Sequence, residues 1–226
     1  MAGLLVLLLL IFISALPVFA VCLWFRIARY PFSPVKFLSF LFAGAAAFFL
    51  ALVLQGLFPE TGSVSAVSAD RWNLLRRVFI RVALTEELGR LIALAFLFWI
   101  LGRFGKEDSS GYGRVSRASA AGLVAGLGFA ALEGAAYGAS DAGVVLIRAV
   151  TAAPLHGACG ARTGAAAVML RERTAQALFR FFSAVLIHGV YNFMILMPGF
   201  PSAAAVVIAL SALVSSILSI RGGAQN

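Results

Sequence analysis

The chain has little charge and very little acid. Of its 226 residues only 12% are charged, and nine are Asp or Glu against 18 Lys and Arg. That scarcity excludes an ordinary soluble domain, in which about a quarter of residues carry charge. No polar stretch is long enough to fold alone, so a single membrane-embedded domain over residues 1–226 is expected. Cysteine is scarce too: Cys22 and Cys159 both lie in apolar runs, where a thiol behaves as a small hydrophobe, and no disulfide is expected between them. What is abundant is apolar: 62% of residues are hydrophobic and the mean hydropathy is +1.00. The net charge of +9 is scattered through short loops between apolar runs. It reads as membrane topology, with the lipid bilayer as partner and no nucleic acid.

About 20 apolar residues suffice to cross a bilayer. Runs of that kind extend over Gly3 to Phe25, Phe37 to Phe58, Val82 to Leu101, Ala118 to Tyr137, Gly143 to Ala161, Ala177 to Met197 and Ala203 to Ile220. The expected fold class is therefore all-α, a polytopic membrane helix bundle of about seven transmembrane helices plus one interfacial amphipathic helix. The amphipathic helix is Arg71 to Val82, where Leu74, Leu75, Val78, Phe79 and Val82 recur at helical spacing beside Arg71, Arg76, Arg77 and Arg81. Polar loops are expected over Pro59 to Asp70 and Gly102 to Arg117. Gly122 and Gly126 have the spacing that lets membrane helices approach closely.

The first run competes with a cleaved signal peptide, since Ala15 to Ala20 contains suitable small residues. No Lys or Arg precedes it, however, while Arg26 and Arg29 follow, an order that favours an uncleaved anchor with its N-terminus outside. Seven spans then leave the C-terminus in the cytoplasm. This orientation places eleven basic residues inside and four outside, the four being those of Arg71 to Arg81.

Against this apolar background the polar exceptions stand out. Thr85-Glu86-Glu87-Leu88-Gly89-Arg90 heads an otherwise apolar run, and a charge at mid-membrane costs about 2.5–3.5 kcal/mol, so it rarely persists without a partner or a function. On a helix Arg90 follows Glu87 by three residues and Glu86 by four, so all three share a face. Glu133 sits between Phe129 and Tyr137 on one stripe. His188 and Asn192 are one turn apart, and His156 follows Pro154, which loosens a helix locally. At about 1.5 Å per residue, Glu86, Glu133 and His188 fall in the outer half of the bilayer and His156 nearer its middle. Two imidazoles and several carboxylates are donors that zinc accepts in hydrolytic sites. There the metal lowers the pKa of a water and a carboxylate takes its proton. Each group also has a structural reading: an ion cluster for Glu86, Glu87 and Arg90, an Arg partner for Glu133, a cross-helix hydrogen bond for His156, and snorkelling for Arg148 and Arg162.

At these residues the chain resembles the PrsW-type intramembrane proteases, within the superfamily of CAAX prenyl endopeptidases and bacteriocin-processing enzymes. The resemblance rests on Glu86-Glu87-x-x-Arg90, Phe129-x-x-x-Glu133, Pro154-Leu155-His156 and His188-x-x-x-Asn192, and spans about residues 82 to 194. Glu133 marks the branch, because a CAAX-type enzyme carries His there; Arg90 stands where Lys is usual. The resemblance implies Glu86 or Glu87 as general base, Glu133, His156 and His188 as ligands of a metal, probed first as Zn2+, and Asn192 as support for the site or the oxyanion. It implies an endopeptidase acting outside the cytoplasm on a membrane-anchored protein such as an anti-sigma factor. The rival expectations are a CAAX-like or bacteriocin-related protease and a non-catalytic transporter, receptor or proton path.

Overall fold

A computed structural model of the chain describes residues 2–58, 70–101, 113–137 and 142–222. Most of the expected loops Pro59 to Asp70 and Gly102 to Arg117 lies outside the described residues. In order, the helices are α1 (Ala2–Ile27), α2 (Pro34–Gly56), α3 (Arg71–Arg76), a π-helical segment (Arg77–Leu84), α4 (Thr85–Ile100), α5 (Arg114–Tyr137), α6 (Ala142–Val150), α7 (Ala152–Met169), α8 (Thr174–Leu196) and α9 (Ser202–Gly222). Among the described residues, six helical segments are long and apolar enough to cross a membrane, with α6 and α7 forming one of them. The shorter α4, continuous with the π segment, is not among the six, where a seventh span was expected; the protein is a multi-pass membrane helix bundle.

Two helices form the centre. The sequence of α5 is so rich in Gly and Ala that it has no bulky face to hold a neighbour away, and it is buried along most of its length. It packs most extensively on α7, which is equally small-sided. Gly126 shows how close the approach is: a methyl there would stand 2.0 Å from the His156 carbonyl oxygen. In lipid, where no hydrophobic force draws helices together, such backbone contact carries the association. The other helices surround this pair, with large apolar residues such as Phe42, Phe179 and Leu218 turned outward, as lipid requires.

Two local features depart from simple spans. The amphipathic stretch expected over Arg71 to Val82 does not stand apart from the membrane helix; the chain remains helical from Arg71 to Ile100, and residues 77–84 are wound as a π-helix. Wide winding spoils the usual ladder, and the Thr85 hydroxyl donates within reach of two carbonyls there, Arg81 O at 2.6 Å and Val82 O at 3.0 Å. The fifth span breaks at Thr151, just ahead of Pro154. Pro154 then falls in the first turn of α7, where a missing N–H costs nothing.

Candidate active site

Four helices bring the polar exceptions together. Glu86, Glu87 and Arg90 come from the first turns of α4, Glu133 from late α5, His156 from early α7 and His188 from α8, and all six are buried. The chain order is local: Glu87 and Arg90 share a face of α4, and His156 and Thr163 share a face of α7 at two turns' spacing. What joins them is a connected set of contacts.

Glu87 is the hub. One of its oxygens, Oε1, accepts a very short hydrogen bond from Arg90 NH1 and lies 3.0 Å from His188 Nδ1. The other, Oε2, accepts from Thr163 Oγ1 at 2.8 Å. Arg90 in turn donates from NH2 to His156 Nδ1 at 3.2 Å and lies flat enough over Phe129 to put its carbon 4.7 Å from the ring centre. Removing the Arg90 charge would therefore strip both a counter-ion from Glu87 and an anchor from His156.

These contacts fix the two rings. A guanidinium only donates, so His156 Nδ1 accepts and, in the neutral ring, Nε2 carries the proton toward Glu133 Oε2, 2.7 Å away. Facing an ionised Glu87, His188 Nδ1 carries the proton and Nε2 keeps its lone pair, 3.6 Å from Glu86 Oε2. The two imidazoles meet edge to face with centres 5.0 Å apart, and Phe129 stacks obliquely on His156 at 5.1 Å.

The neighbouring carboxylates are treated differently. Glu86 Oε1 accepts from Gln55 Nε2 on α2 at 3.3 Å, while its Oε2 is buried with no hydrogen-bond partner among the described residues. Glu133 Oε2 stands 2.6 Å from an Arg148 nitrogen as well as beside His156, so Arg148 pairs with the site instead of snorkelling away from it. Arg148 also covers the Tyr137 ring at 4.3 Å. Asn192 is half-buried one turn beyond His188, and among the described residues it makes no hydrogen bond into the cluster. Gln55 and Thr163 are members that the sequence reading did not single out, and Arg148 is one it read as snorkelling.

The donor set fits a divalent metal. Among the described residues, Glu86, His156 and His188 each offer a ligand atom, and these atoms lie within 4.8 Å of one another. At bond lengths of about 2.0–2.2 Å, tetrahedral donors stand roughly 3.3–3.6 Å apart. Small side-chain rotations close that difference. Glu86 Oε2, without a hydrogen-bond partner among the described residues and buried where a lone carboxylate oxygen is costly, is an independent sign that something else belongs there. Glu133 stands 2.7 Å from His156 Nε2 but is outside that group of three.

A family model described as PrsW family intramembrane metalloprotease matches residues 33–218. Neither a curated protein nor a solved structure matches the chain.

Proposed function

Because the chain belongs to the PrsW family of intramembrane metalloproteases, we propose that it hydrolyses a peptide bond in a membrane-anchored protein, with Glu86 as general base. The observation that carries this is the buried Glu86 Oε2, which among the described residues has no hydrogen-bond partner and no arginine paired on it and faces two imidazoles, whereas Glu133 Oε2 is paired with Arg148. Glu87 is engaged on both oxygens by Arg90, His188 and Thr163. It therefore orients His188 as a supporting carboxylate does behind a metal-bound imidazole. Glu86 keeps free lone pairs, and Gln55 fixes its orientation from α2.

In this reading His156, His188 and Glu133 hold the metal, Zn2+ being the first to test. Lewis-acid polarisation of the scissile carbonyl and acidification of the attacking water are what such an ion supplies. Glu86 takes the proton from that water and returns it to the departing amine. Arg90 contacts His156 at Nδ1, so Nε2 is the nitrogen presented to the site. Asn192, a turn from His188, supports the oxyanion. A second arrangement exchanges Glu86 and Glu133, with Glu86 as third ligand; its presence in the group of three donors favours it. Against it, Glu133 already shares its charge with Arg148 and has less to offer a proton.

The site belongs to the end of the bundle where α2 finishes and α7 begins, with Arg81 bonded to the Phe58 carbonyl nearby. Most basic residues among those described gather at the opposite end, where Ser116 bonds Ile220 and Arg114 pairs with Glu172. The bias of basic residues toward the cytoplasm therefore supports an outward-facing site, an outer N-terminus and an inner C-terminus. A tethered anti-sigma factor is the substrate class that goes with this reading.

Co-reconstitution with single-pass substrate proteins tests the proposal. Cleavage should require Glu86 and His188 and stop on chelation of the metal. Cleavage that persists unchanged in Glu86→Gln and His188→Ala would overturn it.

A further inference from the structure

The bundle contains a second polar place, at the other end. A cavity of about 590 Å³ lies among α5, α7, α8 and α9 and includes none of the six clustered site residues. Its polar lining includes Arg162, Gln176, Arg180, Ser183, Ser215 and Ser219. On α8, Gln176, Arg180 and Ser183 follow one another at helical spacing and form one wall; Ser215 and Ser219 form another on α9.

Arg162 is the unusual member. It donates from NH1 to Ala158 O at 3.0 Å, Ala212 O at 3.3 Å and Ser216 Oγ at 2.7 Å, and from NH2 to Ser215 Oγ at 3.2 Å. These acceptors are all neutral, so they satisfy its N–H groups and leave its charge uncompensated. Among the described residues no carboxylate pairs with Arg162 or with Arg180. Arg90 and Arg148, the two arginines in contact with the candidate site, each have a Glu. Two cations facing one cavity without an anion is an arrangement in search of one, because membrane cations persist only when paired or wetted.

The position suits a phosphate. Arg162 lies seven residues before the end of α7, and Arg180 six after the start of α8. That is a depth of roughly 10 Å from the helix ends. Ala175 and Gln176 of the lining belong to the first turn of α8, whose free N–H groups add to the positive field. Phe179, also in the lining, is 76% exposed, so the cavity opens along the lipid-facing surface of α8.

We infer that this cavity binds a phosphate group, with Arg162 and Arg180 as its counter-charges and the serines as hydrogen-bond donors. Two sources share that chemistry, the headgroup of an anionic phospholipid and free inorganic phosphate. The sideways opening favours the lipid. Native mass spectrometry of the full-length protein in detergent distinguishes them, using phosphatidylglycerol, phosphatidylcholine and inorganic phosphate as separate probes. One phosphatidylglycerol per chain should survive desolvation more strongly than phosphatidylcholine, and Arg180→Gln should weaken its retention by about fivefold, as expected for one basic residue at a lipid surface. Arg162→Gln should do the same or more. Arg180→Gln is the decisive variant, since among the described residues its guanidinium bonds nothing that holds the helices together. A phosphate adduct lost in the same variants, with no lipid preference, would support the site and assign it to the free ion. Equal retention of all three probes by the wild type and Arg180→Gln would overturn the inference.

Discussion

Glu87 Oε1 lies 3.0 Å from His188 Nδ1, and this single contact divides the labour of two adjacent glutamates. Successive residues on a helix point about 100° apart, so only one of the pair can turn toward Arg90, Thr163 and His188. The other, Glu86, is left facing the imidazoles with one oxygen unsatisfied among the described residues.

The two glutamates should therefore fail in different ways. Glu86→Gln should lower cleavage by about 10²–10⁴-fold, the usual contribution of a general base, and leave thermal stability equal or higher. Glu87→Gln should instead destabilise the bundle by about 3–5 kcal/mol, because Arg90 would be buried without its counter-ion. Parallel cleavage assays and melting curves check this; identical profiles for the two variants would contradict the division.

Arg90 makes a separate demand. It reaches Glu87 and His156 with two different nitrogens, which one ammonium cannot match with the same planar geometry. Arg90→Lys should keep the fold, since the charge facing Glu87 remains, and lose roughly 10-fold or more in activity as His156 is released. A lysine variant as active as the wild type would show that the His156 contact is dispensable.

Close helix approach gives a third expectation. Gly126→Ala would drive a methyl to 2.0 Å from the His156 carbonyl, whereas a methyl at Gly56 would meet nothing within 4 Å. The first substitution should cost about 1–3 kcal/mol and shift α7 with its histidine; the second should leave activity and melting temperature unchanged. Equal behaviour of the two would mean that α5 and α7 are not packed backbone to backbone.

Much of the site was legible in the sequence because lipid makes charge conspicuous. Glu86, Glu133 and His156 stand out among Leu, Ala and Gly in a way they would not in a soluble enzyme. The uncharged partners gave no such signal: Gln55 is one amide in the apolar run of α2, and Thr163 is one hydroxyl in a Gly- and Ala-rich helix. Spacing along a helix tells which residues share a face but not which helix that face meets. Arg148 shows the consequence, since its nearness to Glu133 depends on α6 folding back beside the end of α5. The π winding at 77–84 was also invisible, because an amphipathic pattern of that length fits either winding.

The last prediction concerns which carboxylate is the third metal ligand. His156 and His188 are common to both arrangements, so His188→Ala should empty the site in either case. Glu133 and Glu86 differ. If Glu133 ligates, Glu133→Gln should leave the purified protein without stoichiometric metal, while Glu86→Gln should stay loaded and inactive, since a base contributes nothing to holding the ion. If Glu86 ligates, the pattern reverses: Glu86→Gln empties the site and Glu133→Gln loses only about 10–100-fold in affinity, the effect of a group that touches a ligand. Arg148→Gln provides the cross-check, because it removes the ion that competes for Glu133 Oε2 without touching Glu86. Metal analysis should find its affinity raised if Glu133 is a ligand and unchanged if it is not. Full metal content in both Glu86→Gln and Glu133→Gln would exclude a three-donor site built from either carboxylate.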